Sequence, residues 1–175
     1  LVILSAAITM RLVAEERKSG TLEMLTTMPI KDSEVVLGKF FAGLSLLASA
    51  LLFTAVYAFS VATLGDLDWG PVISGYLGLL LFSGALVAMG IMCSTWTSNQ
   101  IVAFIVSFIL GAGLYYIYWL QFFLPEFIAP IAEYISVSFH LDNMARGVID
   151  SRDVLYYLTV IAGSLFLAVR SLEQQ

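Results

Sequence analysis

The sequence predicts an all-α fold, a polytopic transmembrane helical bundle, and three observations carry that prediction. First, 60% of the 175 residues are hydrophobic and 12% are charged, with a mean hydropathy of +0.94. Soluble domains are about 45–50% apolar and about 25% charged, so a water-soluble globule and a disordered chain are both excluded. Second, the apolar residues fall into long runs. Third, the net charge of −5 leaves no basic surface for nucleic acid.

The apolar runs define the expected spans. A helix needs about 20 apolar residues to cross a bilayer. The run at residues 1–13 is long enough for half a span, so we interpret it as partial and the chain as truncated at its N-terminus. Complete spans are expected at residues 40–64, 71–93, 101–124 and 154–169, and the last, short one should have Asp153 and Arg170 snorkelling at its ends. The whole chain, residues 1–175, is interpreted as a single transmembrane domain.

Lysine and arginine set the expected orientation. Five of the eight bases lie in the segment from Arg11 to Lys39, at Arg11, Arg17, Lys18, Lys31 and Lys39. If this segment is cytoplasmic, six bases lie inside and two lie outside, and the inverted topology reverses that score. Residues 125–153 are therefore expected on the external side.

The cytoplasmic segment between the first two spans contains a short polar helix between two helix breakers, Gly20 and Pro29. Leu22, Leu25 and Met28 share one face of that helix, which is the pattern of an interfacial amphipathic helix. From periodicity alone, a helix that rests on the lipid surface and a helix that docks on a partner remain equally open. The next span should be N-capped by Asp32 or Ser33, with Glu34 in its first turn.

The order and spacing of these residues resemble a known family. The run Glu15-Glu-Arg-Lys-Ser-Gly-Thr-Leu-Glu-Met-Leu-Thr-Thr-Met-Pro29, followed by Val36-Leu-Gly-Lys39, is similar to the coupling segment of type-2 ABC transporter permeases. In that family the motif lies between the second and third spans and docks in a cleft of the ATPase subunit. The resemblance therefore implies that residues 14–34 are an ATPase-coupling segment, with a coupling helix carried by Glu16, Arg17, Gly20, Thr21, Leu22, Glu23, Leu25 and Pro29.

The resemblance also implies an architecture and a function. The chain would supply the end of span 2 through span 6 of a six-span permease, with an external re-entrant or interfacial hairpin before the last span. It would be the permease subunit of an ATP-driven exporter in a bacterial inner (cytoplasmic) membrane, surrounded by membrane lipid. ATP and magnesium would be bound by a separate ABC ATPase subunit, so that this chain binds no cofactor. A second permease protomer, identical or not, would complete a dimer.

A second patch refines the resemblance. Residues 139–153 are similar to the segment before the last span in gliding-motility-associated and nitrous-oxide-reductase-maturation permeases. This similarity leaves an alternative open, in which the subunit transports nothing and is a membrane anchor or platform for a gliding-motility or secretion apparatus.

The external segment has both a structural and a functional interpretation. Residues 125–135 are too short to cross, so a hairpin is expected there. Asp142 and Arg146 are spaced i,i+4, Gly147 fits the position that follows a helix, and Asp150 can cap the final span. The functional alternative is an external gate made of His140, Asp142 and Arg146.

Catalytic chemistry is not expected in this chain. It has one cysteine, Cys93, and one histidine, His140. Cys93 has no histidine near it in the sequence that could activate its thiol, and one histidine is too few for a histidine-rich metal site. No phosphate-binding G-x-x-x-x-G-K-[ST] loop occurs. The residues therefore disfavour an intramembrane enzyme and predict no catalytic or metal-ligating residue.

Overall fold

The computed structural model describes residues 1–14, 31–120 and 129–174, and this part of the chain is helical. Four of its helices are long and apolar enough to cross a membrane. The predicted transmembrane bundle is therefore confirmed. The helices in chain order are α1 (Val2–Leu12), α2 (Asp32–Leu64), α3 (Trp69–Thr95), α4 (Gln100–Leu120), α5 (Ala129–Ile135), α6 (Val137–Ala145) and α7 (Ser151–Glu173).

Helix α3 is the centre of the bundle. In its most apolar stretch 78% of the residues are buried, compared with 17–22% in α2, α4 and α7. The reason lies in its composition, since residues 83–94 are mostly small or unbranched and allow neighbouring helices to approach on every side. A helix that is apolar all round is buried on all sides, whereas the outer faces of α2, α4 and α7 are left for lipid.

Two apolar clusters divide the core along the bundle axis, and each is named here for the side of the membrane on which the lysine and arginine distribution predicts it. The cytoplasmic cluster joins α2, α3 and α7 through Val36, Ile91 and Ala168. The external cluster joins α3, α6 and α7, with Met144 and Tyr157 both fully buried. The short helix α6 is therefore part of the packed core at that end of the molecule.

Helix α2 begins well before the apolar run at residue 40 and close to the start that its predicted capping residues indicate. Its N-cap is Lys31, not Asp32 or Ser33, and the Glu34 carboxylate accepts a hydrogen bond from the Lys31 N–H at 3.3 Å. Its 33 residues span about 50 Å, against a hydrocarbon core of about 30 Å. The helix is longer than the hydrocarbon core because backbone hydrogen bonding extends it beyond the apolar run as far as its N-cap.

From residue 129 onward, the predicted external segment takes the form of two short helices, α5 and α6, joined at Ser136. Residues 125–128, where the predicted hairpin begins, lie outside the described residues. The two local predictions that follow these helices are confirmed. Gly147 has a φ of +91° directly after α6, a conformation that favours glycine, and it packs on Pro71. Asp150 caps α7 by accepting a hydrogen bond from the Arg152 N–H at 3.0 Å.

Candidate functional site

The eight residues assigned to ATPase coupling all lie within residues 15–30, outside the described residues. They are Glu16, Arg17, Gly20, Thr21, Leu22, Glu23, Leu25 and Pro29. The structure does describe the residues that flank this segment, and these show how its two ends are attached to the bundle.

The residues before the segment are fixed to two other helices. The buried Ala14 N–H donates to Ser94 Oγ on α3 at 3.0 Å, and that hydroxyl in turn lies 3.5 Å from the Met10 carbonyl oxygen. The Lys39 ammonium on α2 donates to the Leu12 carbonyl oxygen, a C-terminal group of α1 that has no partner within its own helix. The end of α1 is thus tied to both α2 and α3.

A close contact between α1 and α3 strengthens this attachment. A Cβ at Gly90 would lie 2.1 Å from Thr9 Oγ1 and 2.7 Å from Thr9 Cβ, so a larger residue does not fit without movement of a helix. The Thr9 hydroxyl donates to the Ser5 carbonyl oxygen at 2.8 Å, which fixes its rotamer. Such small-residue contacts are how helices pack closely in membranes.

The residues after the segment belong to α2. Lys31 and Glu34 cap its start, and Val36 and Phe40 bury its first turns in the cytoplasmic cluster. A displacement of residues 15–30 would therefore act directly on α1 and α2, and through Ser94 and Gly90 on α3.

The external end carries a buried pair of ionisable side chains. His140 on α6 and Asp153 on α7 are 2% and 3% exposed, and His140 Nδ1 lies 2.6 Å from Asp153 Oδ1. The other ring nitrogen, Nε2, lies 3.0 Å from the Tyr134 carbonyl oxygen at the end of α5. One imidazole therefore joins three helices.

Two tyrosines of α7 complete this site. The Tyr156 ring stacks on His140 at 4.1 Å between centroids, and its hydroxyl donates to the Ile135 carbonyl oxygen. The Tyr157 hydroxyl donates to the Val137 carbonyl oxygen at 2.9 Å. The first two turns of α7 thus bind the junction of α5 and α6 through three side chains.

The three residues of the gate hypothesis are not brought together. His140 points inward to Asp153, whereas Asp142 and Arg146 are exposed and, among the described residues, form no ion pair with each other. The gate itself stays a prediction. The expectation that Asp153 snorkels is wrong, because its carboxylate is buried against His140; Arg170, at the other end of α7, is exposed and pairs with Glu173 at 3.4 Å.

Sequence reasoning missed the partnership of Asp153 and therefore this site. The signal was present, since an acid in the first turn of an apolar span needs a partner, and His140 is the one histidine in the chain. Within the described ranges no group of three potential metal ligands occurs, and Cys93 is buried in the cytoplasmic cluster.

Comparison with known proteins identifies the family. A family model described as ABC-2 family transporter protein matches residues 1–170. Neither the curated proteins nor the solved structures contain a significant match to the chain. The family match spans nearly the whole sequence and agrees with the helical membrane architecture. The chain therefore belongs to the ABC-2 family of transporters, as a membrane-embedded permease component.

Proposed function

We propose that this chain is the permease subunit of an ATP-driven exporter in a bacterial inner membrane. A separate ABC ATPase subunit binds and hydrolyses ATP with magnesium, and two permease protomers form the path for the substrate. The observation that carries the proposal is the attachment of both ends of residues 15–30 to the bundle, through Ser94, Lys39 and the Lys31 cap. A short segment held in this way can pass a displacement to the spans.

The proposed mechanism is alternating access. Closure of the ATPase pair displaces the coupling helix as a rigid body, α1 and α2 follow because they hold its ends, and α4 reorganises around a central path. The spans contain no acidic or basic residue between Lys39 and Asp66, or between Asp68 and Glu126. Ion-coupled transporters place such residues within the membrane, so an apolar or amphiphilic substrate and ATP-driven transport fit these spans better.

The direct test is a charge reversal at the centre of the coupling segment. Glu23→Lys should leave membrane insertion intact. In proteoliposomes that contain the permease and its ATPase subunit, it should uncouple ATP hydrolysis from transport. The matched control is Glu173→Lys, which reverses an exposed acid at the C-terminal end of α7 outside the segment. Transport by Glu23→Lys at the rate of the control would contradict the lever role.

A pull-down tests the partner. Solubilised membranes from cells that express the full-length protein are compared with membranes from cells that express a variant in which residues 20–29 are scrambled. We expect an ABC ATPase to co-purify with the wild type and not with the scrambled variant. If an ATPase is recovered but its rate never responds to a transported substrate, the chain is an anchor or platform for a motility or secretion apparatus instead.

A further inference from the structure

We propose that His140 and Asp153 share one proton and form a latch that holds the junction of α5 and α6 on the start of α7, and that the latch responds to external pH. This inference concerns a conformational device of the external end. It rests on the described side chains and on the predicted orientation of the chain, and not on the proposed transport function.

The hydrogen-bond geometry fixes how many protons the pair carries. The Tyr134 carbonyl oxygen can only accept, so His140 Nε2 must carry a hydrogen to bond it at 3.0 Å. The contact of Nδ1 with Asp153 Oδ1 at 2.6 Å then needs a second hydrogen, whether it is placed on the nitrogen or on the oxygen. The closed site therefore holds one proton between the two side chains.

Removal of that proton must break a contact. If the remaining hydrogen stays on Nε2, a lone pair on Nδ1 faces a carboxylate oxygen. If it moves to Nδ1, a lone pair on Nε2 faces the Tyr134 carbonyl oxygen. A further proton on Asp153 Oδ2 leaves Oδ1 as a neutral carbonyl oxygen, which still accepts from Nδ1 but lacks the charge that strengthens the hydrogen bond. The latch is closed in one protonation state and weakened on either side of it.

Asp153 borders a cavity at this end of the bundle. This cavity of about 290 Å³ is lined by Asp153 together with Asn143, Arg146, Val148 and Asp150, the last three of which are exposed. Within the described part of the chain, Asp153 Oδ2 is a buried oxygen without a hydrogen-bond partner. A buried, half-satisfied carboxylate beside a polar cavity is the site at which a proton can leave to water.

The charged and titratable groups around the pair come from every helix packed at this end. Glu133 and Tyr134 belong to α5, Asp142 to α6, and Arg152, Tyr156 and Tyr157 to α7, while Tyr115 and Tyr118 of α4 and Asp68 at the start of α3 face the same end. The cavity adds Arg146 and Asp150. The acids and arginines among these groups set the local electrostatic potential at the shared proton.

The decisive measurement is nuclear magnetic resonance of ¹⁵N-histidine-labelled protein, purified with a tag that contains no histidine. Because the chain has one histidine, its imidazole signals need no assignment. We expect a hydrogen on Nε2 and a hydrogen-bonded proton at Nδ1 near neutral pH, both protected from solvent exchange. A spectrum with a hydrogen on Nδ1 alone, or one that titrates like a free imidazole, would overturn the shared proton.

A conservative variant tests the latch itself. In Asp153→Asn the amide can donate to a neutral Nδ1 while Nε2 still bonds Tyr134, so the contacts persist without a removable proton. Hydrogen exchange of residues 129–145, corrected for intrinsic rates, should accelerate about fivefold to tenfold at alkaline pH in the wild type, the equivalent of one lost hydrogen bond. Asp153→Asn should show no such acceleration, and Asp142→Asn, an exposed control, should behave as the wild type. Equal acceleration in all three proteins would refute the latch.

Discussion

The external end of the bundle is held by a buried pair of ionisable side chains, whereas the α1–α3 joint at the cytoplasmic end is held by a hydroxyl group and a glycine contact. His140 and Asp153 join three helices through a shared proton. At the other end, Ser94 and Gly90 join α1 to α3 without any titratable group. A steric contact does not depend on pH and transmits a displacement directly, but a proton-dependent contact can be released. The contact at the cytoplasmic end thus suits transmission of a displacement, and the contact at the external end suits release by a change of protonation.

The largest expected effect comes from removing one member of the external pair. Asp153→Ala leaves His140 buried with an unpaired Nδ1, and loss of one partner of a buried pair costs about 3–5 kcal/mol. We expect that loss in the free energy of unfolding measured in mixed micelles. The control is Asp142→Ala, which removes an exposed acid from α6 and should change stability little. Similar losses in both variants would show that the pair does not hold the external end.

The second effect tests the cytoplasmic joint. Gly90→Ala places a Cβ against Thr9, and overpacking of this kind costs about 1–3 kcal/mol. Gly75→Ala is the matched control, since a Cβ there has no atom within 4 Å. The cost of Gly90→Ala should nearly vanish in a Thr9→Gly background, where the clashing side chain is absent. If the cost persists there, the α1–α3 contact is not its cause.

These two sites also show which parts of the structure the sequence could predict. The spans were predictable because apolar runs of sufficient length have few alternatives in a bilayer. The turn at Gly147 and the Asp150 cap were predictable because both depend on residues next to each other in sequence. The start of α2 was predicted closely by its capping residues, whereas hydropathy alone missed its first turns, because polar turns that extend a helix past the apolar core leave no hydropathy signal.

For the external pair, the sequence indicates that Asp153 needs a partner, but it does not show that His140 reaches it. His140 and Asp153 are separated by the end of α6, the turn at Gly147 and the start of α7, and their contact depends on how α6 packs. Gly78 sets that packing, because a Cβ there would lie 3.1–3.2 Å from side-chain atoms of Leu141 and Met144. A single sequence shows each of these residues but not the approach of the helices that carry them.

A smaller effect is expected from the hydroxyl that receives the end of α1. Ser94→Ala leaves the buried Ala14 N–H without this acceptor, and an unsatisfied buried donor costs about 1–2 kcal/mol. Ser49→Ala is the control, because its exposed hydroxyl bonds only a carbonyl of its own helix. If the proposed coupling is correct, Ser94→Ala should also lower transport per ATP hydrolysed more than Ser49→Ala does. Equal unfolding free energies for the two variants would remove Ser94 from the joint.

The smallest effect separates helix capping from the buried pair at the external end. Asp150→Ala removes the N-cap of α7, and Asp68→Ala removes the equivalent cap of α3, where Asp68 accepts from the Gly70 N–H at 3.0 Å. Both caps are exposed, so each loss should cost about 1 kcal/mol or less. If Asp150→Ala instead lowers the free energy of unfolding as much as Asp153→Ala does, then the N-cap holds the start of α7. The His140–Asp153 contact would then form only because the cap has already ordered that turn. If Asp150→Ala and Asp68→Ala lose similar amounts of unfolding free energy, Asp153 and the tyrosines that follow it hold α7 on the external helices. That buried side-chain contact is then what distinguishes the external end from the cytoplasmic end of the bundle.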